Sequence, residues 1–208
     1  MESIKVEDFL ENCQTGDLLL YNTTTWYARL IEWGSNSRYS HISMILRDPT
    51  YIDSKLKGLY ILESCKESVP DSVSGKKLYG VQIIPLNHVL NEYRNTYFGS
   101  LYYRKLNCQK DEEFYEKIKE CFNKTDTKPY DLNPIDWIKA DIGSQFGNVE
   151  KTNTFFCSAL IGYMYSQLGF LDKDIPWTIL APRRFSYYEN ERLTYHNCSL
   201  EPEKNIIF

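Results

Sequence analysis

Asn153-Thr154-Phe155-Phe156-Cys157-Ser158-Ala159-Leu160-Ile161-Gly162-Tyr163-Met164 opens the most apolar stretch of the chain. Asn153 or Thr154 can cap it as a helix, and Gly169 is a natural stop. Ser158, Gly162, Ser166 and Gln167 interrupt the run, which is too short to span a bilayer, a task needing about 20 apolar residues. A sheet is therefore expected to cover it. Cys157 falls in the first turn, where free backbone N–H groups and the positive helix end stabilise a thiolate and can bind an oxyanion. On position alone, a buried structural thiol is the competing reading, since free cysteines are among the most buried residues.

Working toward the N-terminus, the pattern turns to strands. Thr15-Gly16-Asp17 is a turn leading into Leu18-Leu19-Leu20-Tyr21. Residues 40–46 alternate, with His41, Ser43 and Ile45 on one face and Ile42, Met44 and Leu46 on the other. Further strands are expected over 59–64, 78–86 and 101–106. Helical spacing marks 23–33 (Trp26, Tyr27, Leu30, Trp33), 87–93 and 135–142, with the 129–134 segment as a break. An amphipathic helix over 111–122 buries Phe114, Ile118, Cys121 and Phe122. The tail from Arg183 is polar and aromatic and is expected to wrap the surface. With no repeat and no linker, the chain reads as one α+β domain over 1–208, core about 15–183, antiparallel strands first and helices mainly later.

Composition narrows the function. The 208 residues carry 24 Lys plus Arg against 28 Asp plus Glu, a net charge of −4. That is the wrong balance for nucleic-acid binding by counterion release. Six cysteines, at 13, 65, 108, 121, 157 and 198, include no CxxC pair. The opening MESIKVEDFLENCQ is acidic and lacks a secretory pattern. Six free thiols in a reducing, cytoplasmic setting are the expectation. Abundant Asn, Lys and Tyr point to an AT-rich coding genome such as that of a virus or protist, where the setting would be host cytoplasm or virion. No cofactor or metal is expected: His196 and Cys198 lack further ligands, and His88 reads as a surface residue at a helix start.

His41 stands within an apolar strand and Glu63 within the next. Each has an ordinary alternative, a hydrogen-bonded structural histidine and a solvent-facing glutamate. If the strands are neighbours, the two can meet as a base and its orienting acceptor.

Taken in order, Thr15-Gly16-Asp17-Leu18-Leu19, Ser40-His41-Ile42-Ser43-Met44, Leu62-Glu63-Ser64, Lys128-Pro129-Tyr130-Asp131 and Phe156-Cys157-Ser158-Ala159-Leu160-Ile161 resemble the circularly permuted NlpC-like cysteine hydrolases, in particular the YiiX-like branch that includes poxvirus members. The resemblance runs from about 15 to 183. It implies a permuted papain-like fold with the histidine strand ahead of the cysteine helix. It further implies Cys157 as nucleophile, His41 as base and Glu63 as third polar residue, with Asp17, Tyr130, Asp131 and Ser158 shaping the site. The implied activity is hydrolysis of an amide in a peptide, isopeptide or lipid-derived acyl substrate through an acyl-enzyme. Acyl transfer or thioester hydrolysis by the same intermediate, or an inactive binding module, are the alternatives. The stretch 48–58 and the polar tail fall outside the resemblance, and neither the acyltransferase branch's Cys-centred sequence nor its membrane anchor is expected here.

Overall fold

A computed structural model describes residues 1–23, 38–66, 69–95, 99–126, 128–129, 157–189 and 192–208. Its main element is a seven-stranded mixed sheet in the order β1-β9-β6-β2-β3-β4-β5. The strands are β1 (Ser3–Lys5), β2 (Leu18–Thr23), β3 (His41–Arg47), β4 (Leu59–Lys66), β5 (Tyr79–Pro85), β6 (Gly99–Arg104) and β9 (Lys204–Ile207). A separate ribbon pairs β7 (Leu106–Cys108) with β8 (Cys198–Leu200). All neighbouring pairs are antiparallel except β1 with β9. The α-helices among the described residues are α1 (Val6–Asn12), α2 (Leu86–Asn95), α3 (Glu112–Thr125) and α4 (Cys157–Gln167). The helices expected over 23–33 and 135–142, and the cap at Asn153 or Thr154, lie outside the described residues.

Alternation along the strands builds two cores. Leu18, Leu20, Ile42, Met44, Leu46 and Leu62 join α3 and α4 on one side of the sheet. Leu19, Tyr21, Ile45, Ile61 and Ile84 join α1 and α2 on the other. Helix α4 is buried along nearly all its length, as its apolar composition demands. Helix α3 shows the expected inner face of Phe114, Ile118, Cys121 and Phe122, and Asp111 caps it by accepting from the Phe114 N–H at 3.1 Å.

The Thr15-Gly16-Asp17 turn locks these layers together. Gly16 has φ +93°, a conformation that favours glycine, and a side chain there would also press on the end of Leu106 at 2.7 Å. Its carbonyl accepts from Tyr165 Oη of α4 at 2.7 Å. Asp17 is fully buried and accepts from the N–H groups of Gln14 and Leu106 and from Tyr103 Oη, with Lys110 Nζ 3.7 Å away. Burial raises its carboxyl pKa, and Lys110 and these donors oppose that rise.

The C-terminal segment departs from the expected surface wrap. β9 lies between β1 and β6, and Glu203 beside it is wholly buried. Arg104 reaches over from β6 and donates to the carbonyls of Phe185, Leu200 and Glu201. The backbone groups of a polar-looking segment are thus paired within the fold rather than by water.

Candidate active site

The start of α4 meets the start of β3. Cys157 is the first described residue of the helix and 5% exposed, and His41 is the first residue of its strand with its side chain 16% exposed. His41 therefore stands at the rim of the sheet, where an imidazole can turn to the helix end while Ile42 and Met44 pack beneath α4. The two side chains lie close enough for each to shift the titration of the other. His41 Nε2 lies 2.7 Å from Glu63 Oε2, so Nδ1 is the ring nitrogen left for the thiol.

Glu63 is 1% exposed, which removes the solvent-facing reading. Its strand pairs with β5 so that Glu63 sits opposite Gln82, whose Nε2 is 3.5 Å from Glu63 Oε1 and donates to the Cys65 carbonyl at 3.3 Å. A buried carboxylate needs such partners. Behind the imidazole, the Tyr21 ring meets it edge-on with centroids 4.8 Å apart, and Tyr21 Oη shares a 2.7 Å hydrogen bond with Ser43 Oγ. The imidazole is thereby held in plane and in tilt.

The electrostatics oppose burial at both reacting groups. Burial pushes the Cys157 thiol up. No single neighbour matches that push, but the His41 charge, its contact with the sulfur and the backbone N–H groups of Ile42 and Ser158 together outweigh it, and the thiol pKa ends below its usual value. Burial pushes His41 down, but the Cys157 thiolate and the Glu63 carboxylate override it and hold the imidazole well above its ordinary pKa. Both shifts favour a thiolate–imidazolium pair.

Other expected site residues fall in different places. Ser158 Oγ donates to the Leu180 carbonyl, anchoring the helix start, while its N–H faces the Cys157 sulfur. Asp17 is not brought to the pair: it precedes β2 at the end away from Tyr21, which is the partner of His41. Tyr130 and Asp131 lie outside the described residues, although Pro129 just before them bridges to Gly80 of β5. Tyr21, Gln82 and the Ile42 N–H were not anticipated. Gln82 had a signal, a lone polar residue in Val81-Gln82-Ile83-Ile84 that mirrors Glu63 in its own strand.

A nitrogen of His41, a Glu63 oxygen and the Cys65 sulfur all lie within 4.8 Å of one another, close enough to share a metal ion.

No known protein family profile matches the chain, and no curated protein is significantly similar to it in sequence. Among solved structures, the metalloprotein yiiX from Escherichia coli O157:H7 is similar, with a TM-score of 0.51 and 15% identity over 92% of this chain and 97% of that one. The fold is thus YiiX-like, an α+β architecture.

Proposed function

We propose that the chain is a papain-like cysteine hydrolase that opens an amide bond in a peptide, an isopeptide or a lipid-derived acyl substrate. One observation carries this reading: His41 is held between the Glu63 carboxylate and the Cys157 thiol. The Cys157 thiolate attacks the carbonyl carbon, and the backbone N–H of Cys157 faces the developing oxyanion. His41 passes its proton to the leaving amine, then takes one from the water that releases the acid, while Glu63 keeps the ring oriented. Six free thiols suit a reducing compartment such as the cytoplasm. A chloroacetamide or epoxide probe should label Cys157 selectively among the six cysteines. Labelling spread evenly over the six would sink the reading.

The neighbour's description as a metalloprotein supports a second reading. His41, Glu63 and Cys65 offer one nitrogen, one oxygen and one sulfur donor, a set that suits Zn²⁺. A bound ion would supply a Lewis acid there, and its ligands His41 and Glu63 would no longer serve Cys157. Zinc should slow Cys157 labelling if the thiol is the nucleophile. If instead a chelator abolishes turnover of a found substrate, the metal reading prevails.

A further inference from the structure

Two cysteines far from the candidate site face each other across the β7–β8 ribbon. Cys108 is directly opposite Cys198, as Leu106 is opposite Leu200. The Glu201 N–H donates to the Lys105 carbonyl at 2.9 Å, so 105 and 201 form a hydrogen-bonded pair. Antiparallel pairs alternate, which makes 107/199 hydrogen-bonded and Cys108/Cys198 non-hydrogen-bonded. In such pairs the Cα atoms stand about 4.5 Å apart, inside the roughly 4.4–6.8 Å that a disulfide spans. Asn107 and Ser199 point to solvent, so the two thiols turn inward with Leu106 and Leu200, half-buried against the main core. Neither thiol has to leave its strand to reach the other.

We propose that Cys108 and Cys198 are a dithiol modification site that a small-molecule disulfide such as oxidised glutathione closes into an intramolecular bond. The Cys108 thiolate attacks one glutathione sulfur, breaking that S–S bond and expelling one glutathione thiolate. Cys198, having lost its proton, attacks the Cys108 sulfur of the mixed disulfide and expels the second. Two protein thiols are oxidised, one glutathione disulfide is reduced to two thiols, and the two protons end on the leaving groups. Cys108 is the entry point. Burial raises both thiols, but Lys110 opposes it at Cys108, whereas Cys198 is pushed up to about 12 with no cation opposing it. The bond closes a loop that holds α3 and the Cys157 helix, and it fastens β8, just ahead of Glu203 and β9.

The test is to incubate the reduced full chain with oxidised glutathione, alkylate, digest without reduction and map the peptides by mass. A linked pair carrying Cys108 and Cys198 is expected, with Cys13, Cys65, Cys121 and Cys157 recovered unlinked. The thermal midpoint should rise by about 5–10 °C, because the closed loop constrains the unfolded chain. Dithiothreitol should reverse the rise, and Cys198→Ser or Cys108→Ala should lack it. Persistent glutathione adducts, no 108–198 linkage, linkage only between chains, or a linkage that fails to raise the midpoint would overturn the proposal.

Discussion

Tyr39 Oη donates to Glu203 Oε1 at 2.9 Å, tying the segment two residues ahead of His41 to the C-terminal end of the chain. Both residues are wholly buried. The Glu203 carboxylate also accepts from Ser186 Oγ and from the Tyr187 N–H, and Arg104 Nε stands 3.7 Å from it. One carboxylate therefore gathers the β3 approach, the 186–187 turn and β6 around the tail.

Glu203→Ala should lower unfolding stability by about 3 kcal/mol, the order expected when a buried charged partner is removed and donors are left unpaired. Arg104 keeps three carbonyl acceptors, which limits the loss. Denaturant midpoints at neutral pH would measure it. A loss under about 1 kcal/mol would show that the tail is held by strand pairing alone.

Asp17→Ala should be nearly as costly and for a different reason. It strands the N–H groups of Gln14 and Leu106 and the Tyr103 hydroxyl, all buried or nearly so, at about 1–3 kcal/mol for each lost partner, less than additively. Because Asp17 lies away from His41, Cys157 of the folded variant should keep its labelling rate. A strongly slowed rate in a folded variant would restore Asp17 to the site.

The strands from β2 to β5 are legible because alternation, apolar runs and turn residues are local signals. The 3.6-residue spacing and Asp111 do the same for α3. β9 is different: Lys-Asn-Ile-Ile has little pattern of its own, and Ile206 is buried only because β1 and β6 flank it. α1 carries little local signal, since Phe9 is its one buried side chain. At the site, His41 and Glu63 are legible as polar residues out of place in apolar strands. Their contact depends on the β3–β4 register, in which Met44 faces Leu62, and no local pattern states a register. The edge-on Tyr21 and the Ile42 N–H beside the sulfur are likewise products of pairing.

Glu63→Gln should preserve the fold, because the amide keeps the size of the side chain. It cannot keep the charge that helps raise His41. Cys157 labelling at mildly acidic pH should fall by about 10- to 100-fold, less than the roughly 10²–10⁴-fold that general acid–base catalysis supplies in full. An NMR titration should show the His41 pKa falling as well. An unchanged rate would make Glu63 a structural bystander, with some other acceptor orienting the ring.

The pH dependence of Cys157 reactivity is the most discriminating measurement. The Cys157 pKa lies below its ordinary 9.0 and that of His41 well above its ordinary 6.5. The thiolate–imidazolium pair should therefore persist across the interval between them, and iodoacetamide should react fast near pH 6, where ordinary thiols are almost wholly protonated. The stability linked to His41 is fully present below about pH 6.5 and is lost as pH rises through its folded pKa. That linked to Cys157 is present above about pH 9 and is lost as pH falls through its folded pKa. Cys13 and Cys121, each raised to about 11 chiefly by burial, should stay inert at pH 6. His41→Ala removes the cation, leaves burial to push the thiol up, and should slow Cys157 at pH 6 by at least tenfold. A flat response to that substitution, with Cys157 no faster than Cys13, would leave the fold standing as a binding module without a thiol nucleophile.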